Sequence, residues 1–237
     1  FSLNDLRVIW ANQIFFNMCG VSGSRFEARL DTLVPEFSAK WLLEGKTQSP
    51  GLLSINGRKY QIHGNIIRPG ENDEGAGHGF MGIAYWVDVT EYDDVRIKYE
   101  ESRPVVALLL IDNYDELVRG QPDRVKNDLR DAVEDIINQY GESRDAIVRR
   151  YDRDRYIIIF EERHLQQMRE DKFAILERAH TVTSPSGIHA TLSLGIGRDG
   201  EGFGENWQFA SLAAEMALTR GGDQAVIKNR FNFEFIG

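Results

Sequence analysis

Two aspartates and two arginines, charged groups able to bind cations and anions, stand at the end of an apolar run and in a polar turn. Asp112 closes the apolar run "VVALLLID", and a polar turn, "DRD" from Asp152 to Asp154, separates "AIVRRY" from "RYIIIF", whose first residue is Arg155. Arg153 and Arg155 could contact phosphate oxygens through charge-assisted hydrogen bonds. The same tip residues equally make a solvated, salt-bridged hairpin end, where ion pairs contribute little. A second polar stretch, "RGGDQ" from Arg220 to Gln224, follows an apolar helical segment, and Gly221 with Gly222 suits a turn after that helix.

These residues need a scaffold, and the patterning supplies one. "VVALLLID" is continuous enough for a central strand buried on both faces. The segment from Pro122 to Tyr140 carries Val125, Leu129, Val133, Ile136, Ile137 and Tyr140 on one stripe with charges opposite, an amphipathic helix. Strands follow on either side of "DRD", then a helix from about Leu165 to Ala179, a strand at "HATLSLGIG", a helix through "WQFASLAAEMAL", and two short strands around "AVIK" and "FNFEFI". A β-α-β-β-α-β core with appendages is a ferredoxin-like arrangement.

The front of the chain is built differently. "FSLNDLRVIWAN" predicts two short strands around Asn4-Asp5, and helical segments follow at Gln13 to Met18 and at roughly Arg25 to Leu43, interrupted at Pro35. Asn56-Gly57, flanked by Leu53 and Ile55 before and Tyr60 and Ile62 after, predicts a tight hairpin. After the Gly-rich "GENDEGAGHG", the run "FMGIAYWVDVT" closes this region as a long strand. Asp88 or Thr90 then caps a helix to about Ser102, with Glu91, Asp93 and Asp94 in its first turn. Tyr92, Val95 and Tyr99 form an apolar seam one heptad long, which fits either a linker helix lying on its own domain or pairing with a second copy. The expected organisation is therefore residues 1–90, a linker helix at 91–103, and a second domain at 104–237.

Composition narrows the partners. The net charge is −9, with 8 basic and 9 acidic groups in residues 1–90 and 20 and 28 in residues 91–237, a balance that argues against nucleic acid. The single Cys19 excludes a disulfide framework and any multi-cysteine zinc site, which fits a cytoplasmic setting. No apolar run of membrane-spanning length occurs, so no membrane contact is expected from this stretch, and the start at Phe1 suggests a piece of a longer protein.

The first 90 residues resemble a PAS domain, on "LRVIWAN", the Asn-Gly hairpin and the closing "DVTEYDD". The rest resembles a GGDEF domain, on "LLLID", "RRYDRDRYIIIF", "TLSLGIG" and "AAEMALTRGGDQAVIK". "LLLIDNYDEL" with "ALTRGGDQAVIK" is similar to the degenerate GGDEF domain of GdpP-type cyclic-di-AMP phosphodiesterases. The fold so implied is α+β: a PAS-like antiparallel sheet with short helices, then a βααββαβ GGDEF domain. In that family two membrane helices precede the PAS domain and a DHH/DHHA1 phosphoesterase follows in cis. The resemblance thus implies a cytoplasmic regulatory segment of a membrane-anchored, homodimeric enzyme, with the hydrolase outside this chain. A stand-alone PAS-GGDEF receptor or dimerisation scaffold is the alternative.

Aligned on the GGDEF signature, the five positions are Asp152, Arg153, Asp154, Arg155 and Tyr156. Both glycines that let backbone approach a nucleotide are replaced, and an arginine stands where the second acid binds metal, so cyclic-di-GMP synthesis is not expected. What the resemblance leaves is nucleotide binding or weak ATP hydrolysis with Mg²⁺ at Asp112 and Asp154, and nucleotide contacts from Asn113, Arg153, Arg155, Asp223 and Gln224. Arg144 and Asp145 lack the partner spacing of the family's product-inhibition motif. The resemblance also implies possible haem in the PAS half, with His63 and His78 the candidate axial ligands. His63 alternates onto the polar face of its strand and His78 lies in a Gly-rich loop, positions that suit surface histidines. Phe15, Phe16, Met18, Leu30, Leu33, Trp41, Leu42, Phe80, Ile83 and Tyr85 could line a pocket or fill a small core.

Overall fold

The computed structural model describes residues 1–21, 28–67 and 80–237. The chain divides into two compact units, Phe1–Ile97 and Lys98–Gly237.

In the first unit, helix α1 (Gln13–Met18) starts where the Asn12 side chain accepts the Phe15 amide. Two single-turn helices follow, α2 (Leu30–Leu33) and α3 (Lys40–Leu43). Of the helix expected from about Arg25 to Leu43, residues 25–27 lie outside the described residues, and the rest is split into these two turns, with the non-helical Val34 and Pro35 between them. The expected strands before α1 reduce to isolated bridges, Ser2 with Met81 and Arg7 with Arg29. Strands β1 (Leu53–Ile55), β2 (Arg58–Ile67) and β3 (Met81–Asp88) form an antiparallel sheet in the order β1-β2-β3. The β1–β2 turn is the predicted one: Asn56 and Gly57 have φ of 49° and 76°, the left-handed pair a two-residue hairpin requires. Phe16, Trp41, Leu42 and Ile62 anchor the core between helices and sheet.

Helix α4 (Thr90–Glu101) is capped by Asp88, whose Oδ1 accepts from both the amide and the hydroxyl of Thr90. Asp93 in its first turn is buried, and Lys59 and Arg96 donate to its carboxylate at 2.6 and 2.7 Å. Tyr92, Val95 and Tyr99 remain 73, 66 and 69 % exposed, so the seam is not consumed by core packing.

The second unit is a six-stranded sheet in the order β5-β6-β4-β7-β8-β9. Its elements run β4 (Pro104–Ile111), α5 (Tyr114–Val118), α6 (Asp123–Glu142), β5 (Ile147–Asp152), β6 (Arg155–Glu161), α7 (Glu162–Glu170), α8 (Ile175–Ala179), β7 (Leu192–Gly197), α9 (Phe203–Thr219), β8 (Ala225–Lys228) and β9 (Phe233–Ile236). Pairing is antiparallel except between β7 and β8. Central β4 is covered on both faces, as its unbroken apolar run demands. Val105, Ala107, Leu109 and Ile111 join the core that includes Leu129, Val133 and Ile137 of α6, while Val106, Leu108 and Leu110 meet Ala210 and Ala214 of α9. That second contact depends on Gly195 and Gly197 in β7, where any Cβ would run into the α9 backbone.

The single helix expected from Leu165 to Ala179 is two. Lys172 and Phe173 take left-handed φ of 52° and 54°, Asp171 caps the restart at Ala174, and Phe173 is fully buried as the pivot. Among the described residues, no helix is long and apolar enough to cross a membrane.

Candidate functional site

Asp112 follows the last residue of β4, and sheet order decides its neighbours. Ile111 donates its amide to the Asp154 carbonyl at the β5–β6 turn, and Asp112 donates its own to Thr191 just before β7. The Asp112 carboxylate faces the β7 side. Its Oδ2 accepts from the Ser193 hydroxyl at 3.0 Å and from the Asp223 amide at 2.9 Å, while Oδ1 is buried with no hydrogen-bond partner. Burial pushes the acid above its ordinary range, and the two donors oppose that only in part.

The "RGGDQ" stretch thus lies against Asp112, 111 residues away in sequence. Asp223 is held at its other end by His180, whose Nε2 lies 2.9 and 3.0 Å from its two carboxylate oxygens. Gln224 is turned inward: its amide donates to the carbonyls of Ala217 and Gly222, and Arg220 donates to its oxygen. Asn113 is spent on local structure, donating to the His189 carbonyl at 2.7 Å and accepting from Thr191 at 3.1 Å.

The hairpin tip is a separate cluster. Arg153 pairs with Asp115 at 3.1 Å and lies 5.8 Å over the Tyr114 ring, both partners largely exposed. Arg155 is half-exposed and 3.9 Å from Asp154. Tyr156 in the fifth signature position is core: its hydroxyl donates to Glu134, which also pairs with Arg150, and burial pushes its pKa up to about 12. Of the residues singled out from sequence, Asp112 and Asp223 are brought together by a direct hydrogen bond. Asp154 reaches this region through its main chain, and the side chains of Arg153 and Arg155 bond elsewhere.

These residues do not fit a Mg²⁺ ion. One oxygen of Asp112 already accepts two hydrogen bonds, and the other is buried without a polar partner. Asp154 sits beside a guanidinium. Among the described residues, no group of three or more His, Cys, Asp or Glu is placed to hold a metal.

Two members of the cluster carry little sequence signal. Ser193 is the one polar residue of fully buried β7, a mark that could have been read. His180 closes α8 and meets Asp223 only through the fold.

In the first unit a cavity of about 970 Å³ opens along β3, with Phe15, Met18, Leu30, Ile83, Tyr85 and Trp86 among its walls. Five members of the expected apolar set line it, whereas Phe16, Trp41 and Leu42 are core and Phe80 is exposed. His63, opposite Tyr85 on β2, is not on these walls, and His78 lies outside the described residues. The described walls carry Met18, Met81, Tyr60 and Tyr85 but no histidine, so histidine-ligated haem does not fit through His63.

The profile of the family described as cyclic-di-AMP phosphodiesterase GdpP-like, GGDEF domain, matches residues 109–235. The cyclic-di-AMP phosphodiesterase GdpP of Geobacillus thermodenitrificans is 29 % identical over 222 residues, covering 94 % of this chain and 31 % of that protein. The cyclic-di-AMP phosphodiesterase PdeA of Listeria monocytogenes is 35 % identical over 146 residues, covering 62 % and 22 %. The chain therefore spans less than a third of the length of these relatives. Among solved structures, the active GGEEF domain of a diguanylate cyclase from Vibrio cholerae covers 57 % of this chain and 89 % of its own, with 15 % identity and a TM-score of 0.48.

Proposed function

Because the chain belongs to the cyclic-di-AMP phosphodiesterase GdpP-like GGDEF family, we propose that it is the regulatory segment of a cyclic-di-AMP phosphodiesterase. Residues 1–90 act as a PAS-like sensor and residues 91–103 as the transmitting helix. The GGDEF domain sets the activity of a DHH/DHHA1 phosphoesterase domain in cis, within a membrane-anchored parent whose segment here faces the cytoplasm. Cyclic-di-AMP hydrolysis belongs to that other domain.

One observation carries the reading that this GGDEF domain is not a cyclase: the signature hairpin "DRDRY" presents side chains where a nucleotide needs bare backbone. Arg153 is paired with Asp115, Arg155 stands where a metal-binding acid is required, and Asp112 is engaged by the opposite side of the sheet. A nucleotide meeting this surface would find the guanidinium groups of Arg153 and Arg155 as phosphate contacts.

Incubating the chain with Mg²⁺ and either GTP or ATP tests this. The expected result is no cyclic-di-GMP and no phosphate release. Phosphate release from ATP that disappears in Asp112→Ala would instead establish a slow ATPase.

A further inference from the structure

We propose that the Gly221-Gly222-Asp223 turn is a built-in ligand of Asp112, occupying its carboxylate in place of a metal ion and closing that end of the sheet. The contact is made by backbone. The Asp223 amide reaches Oδ2 at 2.9 Å because Gly222 has no side chain: a Cβ there would stand 2.7 Å from the same oxygen and 3.4 Å from the Ser193 hydroxyl. Gly221, Gly222 and Asp223 all have left-handed φ, of 111°, 77° and 54°. For Asp223, which has a Cβ, such a conformation must be held by its surroundings.

Three elements hold it. Ser193 of β7 shares the Asp112 oxygen, His180 at the end of α8 bonds both carboxylate oxygens of Asp223, and the buried Gln224 amide ties Gly222 back to Ala217 of α9. An incoming cation would have to displace two hydrogen bonds from Oδ2 or reach an Oδ1 that is buried from solvent. Mg²⁺, which gives up its own waters reluctantly, gains nothing that offsets this. Gly222 of "RGGDQ" therefore serves Asp112, and the clasp stands independently of the regulatory reading above.

The Asp223 amide reports the contact directly through its hydrogen-exchange rate, measured on the whole chain with and without millimolar Mg²⁺. The expected result is slow exchange that Mg²⁺ leaves unchanged. Asp112→Asn, whose side-chain oxygen accepts the same two bonds, should stay within about threefold of wild type, while Asp112→Ala and Gly222→Ala should speed exchange about tenfold or more. Fast exchange in the unaltered chain, acceleration on adding Mg²⁺, or loss of protection in Asp112→Asn would each overturn the proposal. The last two apply even where the alanine variants do not fold.

Discussion

Asp112, just past the end of β4, is a carboxylate whose partners come from β7 and from the turn before β8. Burial raises the carboxyl above its ordinary range, and the bonds it accepts from the Asp223 amide and the Ser193 hydroxyl oppose that only in part. Because its pKa in the folded protein is raised above 3.8, the stabilisation from Asp112 is complete below that value and is lost as pH rises through the folded value. Asp112→Asn cannot ionise but buries an amide at the partnerless Oδ1 position, so its stability relative to the unaltered chain is expected to improve from about pH 3 to about pH 7, whatever its absolute level. Urea unfolding at the two pH values measures it, and a gap that is the same at both or shifts the other way would contradict a raised Asp112 pKa.

At the scale of elements, close packing and capping make the sharper demands. Helix α9 lies on β7 at glycine-only distance, so Gly197→Ala should push the helix from the sheet and cost about 2–4 kcal/mol in chemical denaturation. The start of α4 rests on Asp88, whose carboxyl is held down to about 2 by the hydroxyl and amide of Thr90 and by Arg58. A depressed pKa stabilises above 3.8 and loses that effect as pH falls toward 2. The Thr90 amide should accordingly exchange faster across that window, and Asp88→Ala should show the fast rate at every pH.

Much of this level was legible in the sequence for local reasons. Asn56-Gly57 fixes its hairpin through backbone preference, β4 announces burial on both faces, and α6 carries an unbroken stripe. The split between α7 and α8 was not, since Lys172 and Phe173 are ordinary residues that only tertiary packing forces into left-handed backbone. The strands expected before α1 failed similarly, as alternating residues found single bridges and no partner strand. In the candidate site, the identity of Asp112 and of the "RGGDQ" stretch could be read, but their contact could not. It follows from strand order, which brings β4 and β8 to opposite sides of β7, and no local pattern encodes that.

For the molecule as a whole, the boundary between the two units falls within α4, whose seam stays exposed at Tyr92, Val95 and Tyr99. If that seam pairs with a second copy, changing Tyr92 and Tyr99 to serine should turn a dimer into a monomer in sedimentation without altering secondary structure; an unchanged dimer would remove the seam from the interface. The central claim is that this chain regulates a phosphodiesterase activity located elsewhere in its parent. The direct measurement is the rate of cyclic-di-AMP hydrolysis by the full-length protein with and without residues 1–237. The account predicts that hydrolysis persists without them at a rate changed severalfold, and an unchanged rate would contradict it.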